Sequence, residues 1–142
     1  MTGYNKVFVD TTPLIYFLDN DVNFGEKTRM IFEETLSENA TVLTSTITCT
    51  EYLVYPYRTG NQEKVKAFFE FLQDFDIPMV GIDVDIAKKA AEIRAEYKFF
   101  KAMDALQLAT AICSNCDVFL TNDNQLRQFK ELKCVTVEEW EL

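Results

Sequence analysis

A chain of 142 residues can bury one sizeable core but not two, so a single domain spanning residues 1–142 is expected. Its formal net charge of -9 excludes a protein that holds nucleic acid by bulk positive charge, yet it allows clustered acids whose local field a bound cation would invert. No apolar run approaches the roughly 20 residues of a membrane span, and residues 1–6 do not read as a signal segment, so no membrane association and a cytoplasmic location are expected.

Residues 6–9 are β-branched or aromatic after Lys6 and read as a short buried strand that stops at Asp10. Thr12 and Pro13 then start a helix, Thr as the N-cap and Pro at the first helical position, with Leu14, Ile15, Phe17 and Leu18 as its apolar face. A second helix is predicted over 25–37 and a second strand over 41–44, after which Thr46 caps a helix over about 47–57. In that helix Glu51 lies one turn from Ile47 and one from Tyr55, which predicts a carboxylate on a largely apolar face. An amphipathic helix over 63–75, a strand over 79–82 and an Asp83-capped helix through Ile86, Ala90 and Ile93 follow. The helix over 102–114 is apolar almost all round, yet Asp104 stands in its first turn, where the dipole favours an anion. A strand over 118–121 runs into Asn122 and Asp123, a brief helix covers 125–129, and a last strand covers 134–137.

Five short strands interleaved with helices, none joined to the next by a tight hairpin turn, specify an α/β fold with a mainly parallel five-stranded sheet. Such sheets bind ligands beyond the carboxyl ends of their strands, where Asp10 and Asp123 fall. Glu51 and Asp104 lie near helix starts, which face the same rim. Taken singly, each acid has an ordinary role: Asp10 and Asp123 as caps, Asp104 as a dipole partner, Glu51 as a half-exposed surface residue. Taken together, carboxylates converging on one rim repel one another unless a cation holds them ionised. With no histidine in the chain, an all-carboxylate set suits a hard cation, Mg²⁺ or Mn²⁺, rather than zinc.

Of the four cysteines, Cys113 and Cys116 form a CxxC that closes a helix rather than opening one, while Cys49 and Cys134 stand alone. Structural zinc would need two more ligands, so the four are expected to be small buried hydrophobes of a reducing compartment. Arg58, Lys64, Arg94, Lys98 and Lys101 are candidate phosphate contacts, each of which also suits an ordinary solvated helix face. Core packing is expected for most of Tyr52, Tyr55, Tyr57, Phe99 and Phe100, with Phe99-Phe100 the first choice for RNA or partner contact.

Four segments together resemble the PIN domains, especially the VapC-like toxins: Val7-Phe8-Val9-Asp10-Thr11-Thr12-Pro13-Leu14-Ile15-Tyr16, Thr50-Glu51, Met103-Asp104-Ala105-Leu106-Gln107-Leu108-Ala109-Thr110-Ala111, and Leu120-Thr121-Asn122-Asp123. The resemblance covers essentially the whole chain. It implies a three-layer α/β/α sandwich and an Mg²⁺- or Mn²⁺-dependent endoribonuclease acting on RNA, often a homodimer neutralised by a small antitoxin protein. It also implies that Asp10, Glu51, Asp104 and Asp123 form the acidic quartet, Asp10 and Asp104 closest to the principal metal, with Thr11 and Thr121 as supporting hydroxyls.

Other readings differ at defined points. A phosphatase of the haloacid dehalogenase type also places a nucleophilic Asp after its first strand but needs a second Asp two residues on, where Thr12 stands. A non-catalytic interaction module would be expected to have lost one or more of the acids, and a housekeeping RNA-processing nuclease would lack a neighbouring antitoxin.

Overall fold

The computed structural model describes residues 3–142; Met1 and Thr2, the first two residues of the segment read above against a signal pattern, lie outside the described residues. Five strands, β1 (Lys6–Val9), β2 (Thr41–Ser45), β3 (Met79–Val80), β4 (Val118–Thr121) and β5 (Lys133–Thr136), form one sheet in the order β3-β2-β1-β4-β5. Every neighbouring pair is parallel. The sheet is therefore wholly parallel rather than mainly so, because each connection is long enough to cross back over the sheet before the next strand begins. The connecting helices are α1 (Thr11–Leu18), α2 (Gly25–Ser37), α3 (Thr46–Arg58), α4 (Gln62–Asp74), α5 (Val84–Glu96) and α6 (Ala102–Cys113), with a 3-10 turn at Asn124–Gln128. Among the described residues no helix is long and apolar enough to cross a membrane.

Strand alternation divides the core into two layers. Val7, Val9, Val42, Val118 and Leu120 pack on one side with Leu14, Ile31, Phe32, Tyr52, Phe68 and Phe71 from α1 to α4. Phe8, Leu43 and Phe119 pack on the other with Ile86, Ile93, Leu108 and Ala109 from α5 and α6. Phe8 and Phe119, in register across β1 and β4, stack with ring centroids 5.0 Å apart. The result is the expected three-layer α/β/α sandwich.

Several local expectations shift. The N-cap of α1 is Asp10, not Thr12: its carboxylate accepts the Thr11 N–H at 2.9 Å, so the helix begins a turn's fraction earlier, and Pro13 falls where an N–H has no helical partner anyway. Ser45, not Thr46, caps α3, its hydroxyl accepting the Ile47 N–H at 3.0 Å. β3 spans two residues rather than four, and β5 starts one residue early. The cysteines do not form one class. Cys116 is buried, and desolvation pushes its thiol up to about 12, but Cys113 is exposed because α6 leaves the core at its last turn. Phe99 and Phe100 also separate: Phe100 is 2% exposed and stacks on Tyr97, whereas Phe99 is 52% exposed. Tyr52 is buried, while Tyr55 and Tyr57 face solvent.

Candidate active site

The chain builds β1, β2 and β3 outward on one side of the sheet, then returns to lay β4 and β5 on the other side of β1. The switch point lies between β1 and β4, and beyond the carboxyl ends of these two strands a parallel sheet opens a crevice. Asp10 follows β1 directly, and Asp123 stands two residues past the end of β4. The Asp10 N–H donates to Leu120 O at 2.9 Å, tying the two strand ends together at the crevice floor.

Asp10 is half-buried and held at both oxygens. Oδ1 accepts the Thr11 N–H at 2.9 Å, and Oδ2 accepts the Thr121 hydroxyl at 2.9 Å. Thr121 Oγ1 in turn accepts the Asp123 N–H at 3.1 Å, so one buried threonine joins two of the acids. Desolvation nonetheless dominates and raises the Asp10 pKa to about 6; the bonds from Thr11 and Thr121 oppose it, and the charges of Asp104 and Glu51 reinforce it. Asp104 sits in the first turn of α6 and is also raised, mainly by burial, then by the charge of Asp123, with Glu51 contributing. The Lys101 backbone N–H and the Lys101 charge act the other way.

Glu51 differs from expectation. The buried stripe of α3 is Thr48, Tyr52, Leu53 and Pro56, and Glu51 lies on the exposed face with Tyr55, which is 67% exposed. Its carboxylate is held all the same, because Thr11 Oγ1 donates to Oε1 at 2.6 Å. Asp123 caps the 3-10 turn by accepting the Gln125 N–H at 2.9 Å. The structure thus sets all four acids where their charges act on one another, and sets Thr11 and Thr121 against two of them.

Beneath the acids lies a buried polar layer that sequence pattern did not mark: Thr44, Ser45, Thr48 and Gln107. Gln107 Nε2 donates to Thr48 Oγ1 at 2.8 Å, and Thr44 Oγ1 lies 2.8 Å from both Thr48 Oγ1 and Val9 O. The signal for it in the chain is Gln107, a glutamine inside a largely apolar helix. Of the candidate cations, Lys64 is engaged elsewhere, pairing with Asp19 at 3.1 Å.

The donor set fits a hard cation in charge and chemistry. Among the described residues none of the four carboxylates forms an ion pair, and the Lys101 charge offsets the burial of Asp104 only in part. Among the described residues there is also no group of three His, Cys, Asp or Glu side chains gathered closely enough to hold a metal ion as a ready-made shell.

The fold and the rim define a parallel α/β protein with acidic residues at its switch point. The PIN domain family model matches residues 7–132, and the chain belongs to that family. Solved structures of similar fold include VapBC2 from Rickettsia felis bound to a DNA fragment from its promoter, at TM-score 0.77 and 15% identity over 92% of this chain and 98% of that one. A toxin-antitoxin complex from Klebsiella pneumoniae matches at TM-score 0.73 and 22% identity, over 96% and 99% of the two chains. Mycobacterium tuberculosis VapC20, a Sarcin-Ricin loop cleaving toxin, matches at TM-score 0.65 and 15% identity, over 89% and 98%. At these identities the likeness is one of fold. No curated protein gives a significant sequence match.

Proposed function

We propose that the protein is an Mg²⁺- or Mn²⁺-dependent endoribonuclease that hydrolyses RNA phosphodiester bonds as a single PIN domain of 142 residues. Its role is that of the toxin in a toxin-antitoxin pair, bound by a small antitoxin protein, dimeric and cytoplasmic. Support for that role comes from relatives of the same fold described as toxin-antitoxin complexes and, in one case, as a Sarcin-Ricin loop cleaving toxin.

The observation that carries the chemistry is Asp10: a carboxylate at the switch point, anchored at both oxygens, pushed up to about 6 by burial and by neighbouring acids, and without an ion-pair partner among the described residues. Such a group gains most from a bound cation. Asp10 and Asp104 would hold the ion, while Glu51 and Asp123 would orient water or complete a second position. When bound, a divalent cation lowers the pKa of an attacking water and neutralises charge developing at phosphate. The chain's own contribution is positional. Thr121 fixes the plane of the Asp10 carboxylate, Thr11 fixes Glu51, and the caps made by Asp10 and Asp123 fix the backbone at both strand ends.

The test is cleavage of defined RNA oligonucleotides in Mg²⁺, in Mn²⁺ and in EDTA. Cleavage with either metal, abolished by EDTA, is expected. Metal-independent cleavage overturns the proposal; no cleavage under any condition favours the non-catalytic interaction module instead. Co-purification of a small antitoxin encoded beside the gene separates the toxin role from housekeeping RNA processing.

A further inference from the structure

We infer that Gln107 is a positioning residue: from inside α6 it sets the placement of Asp10 and Glu51 and thereby the affinity of the rim for a divalent cation. This rests on the reading of the rim as a metal-dependent site.

Gln107 is 1% exposed, on a helix whose neighbouring positions Ala105, Leu108, Ala109 and Ala111 are fully buried apolar residues. A buried primary amide destabilises the fold unless both ends are bonded. Both are. Oε1 accepts the Ser45 hydroxyl, and Nε2 donates to Thr48 Oγ1 at 2.8 Å, with Asp10 Oδ1 at 3.4 Å and Thr11 Oγ1 at 3.5 Å within reach of its second proton.

Counting protons orients the Gln107 amide. Ser45 Oγ already accepts the Ile47 N–H, so its own proton goes to Gln107, which turns the amide oxygen toward Ser45 and the NH₂ toward Thr48 and Asp10. The Thr11 proton is committed to the Glu51 carboxylate at 2.6 Å. The Thr11 and Thr48 hydroxyls stand 3.2 Å apart, and Thr48 Oγ1 also has Thr44 Oγ1 at 2.8 Å, so Thr48 joins the Thr11 end of the layer to the Gln107 end. A continuous set of hydrogen-bond contacts therefore links Ser45, Gln107, Thr48, Thr11 and Glu51, with a branch from Gln107 to Asp10. It begins at the end of β2 and ends on carboxylates from two other elements, one after β1 and one in α3.

The position needs a neutral group that donates on one side and accepts on the other. Ionised Glu accepts only and would add a fifth carboxylate beside Asp10; Met fills the space without bonding. Apolar packing between α6 and β2 would serve stability at least as well, so the polar chain is accounted for by what it orients.

The experiment is calorimetric titration of the full-length protein with Mn²⁺, without RNA, for wild type, Gln107→Met, Thr48→Val and the double variant. Each single change is expected to weaken Mn²⁺ binding roughly ten- to a hundred-fold, as loss of groups that orient metal ligands does. The double variant should be no weaker than the weaker single, since both cut one chain. On a fluorogenic single-stranded RNA, kcat should fall with KM unchanged. Affinities of both singles within about twofold of wild type, or full additivity in the double, overturn the inference. If Gln107→Met does not fold, Thr48→Val and Thr48→Ser decide: weakening in Val with recovery in Ser supports it, and equal behaviour of the two overturns it. Wild type that binds no Mn²⁺ removes the metal site itself and this inference with it, whereas wild-type binding with unaffected variants removes only this inference.

Discussion

The buried stripe of α3, from Thr48 in its first turn to Tyr52, Leu53 and Pro56, borders two very different interiors. Toward α2 and α4 lies a layer of phenylalanines, with Phe17 against Phe71 at 4.9 Å, against Phe75 at 5.5 Å and against Phe32 at 5.6 Å. Toward β2 and α6 lie Thr44, Ser45, Thr48 and Gln107, equally buried but polar throughout. Phenylalanine packing is non-directional, stabilises in proportion to area and tolerates rearrangement. The polar layer gives little net stability, because each bond replaces one made to water, yet it permits only one arrangement of its members. A protein built for stability alone would repeat the first layer on both sides; the second marks where geometry matters more, and it lies directly under the acids.

The sharpest way to break this contrast is Asp10→Asn. Asparagine still caps α1, so folding should persist while RNA cleavage falls by about 10⁴-fold, roughly 5 kcal/mol in the barrier. The same change should stabilise the metal-free protein at pH 7. With the folded pKa of Asp10 near 6 against an ordinary 3.8, the folded chain holds more protons than the unfolded chain between those values. Metal-free stability therefore falls as pH rises from about 4 to about 6 and is level above, and Asp10→Asn flattens that fall. Thermal melts from pH 4 to pH 8 in EDTA check it; a variant less stable than wild type at pH 7 contradicts the burial argument.

On the other side, Phe32→Ala should cost about 4 kcal/mol in urea denaturation through the cavity it leaves. Mn²⁺ affinity of the remaining folded protein should be unchanged, and a large loss there would erase the distinction between the layers. Added Mg²⁺ should raise the melting temperature above pH 6, by the equivalent of about 3 kcal/mol at a hundred times its dissociation constant. The rise should vanish below pH 4, where Asp10 is protonated. Cys113→Ser is the smallest change: the thiol is exposed and outside both layers, so stability should move by less than about 0.5 kcal/mol and cleavage should not change.

Much of this architecture is legible in the chain. Residues 6–9 and 118–121 read as strands because short β-branched and aromatic runs ending in turn residues have little else to form, and the apolar 102–114 segment reads as an interior helix. The caps lie one or two residues from where the sequence suggests, since Asp10-Thr11-Thr12 and Ser45-Thr46 offer adjacent side chains of similar capping ability and only the local geometry chooses between them. Ile47 and Tyr55 suggest an apolar face for Glu51, but Tyr55 faces solvent.

Local pattern in the chain specifies the order of elements, the parallel sheet that follows from helical crossovers, and the placement of Asp10, Asp104 and Asp123 at element ends, because these depend on periodicity and on short-range preferences. Tertiary structure alone decided what those acids touch. Asp10 meets Thr121 across 111 positions, Thr11 meets Glu51 across 40, and Gln107 meets Ser45 across 62. Hydrogen bonds between residues so distant carry no periodic signal; they exist because β1, β2, β4 and α6 are packed against one another, and that packing is a property of the whole fold.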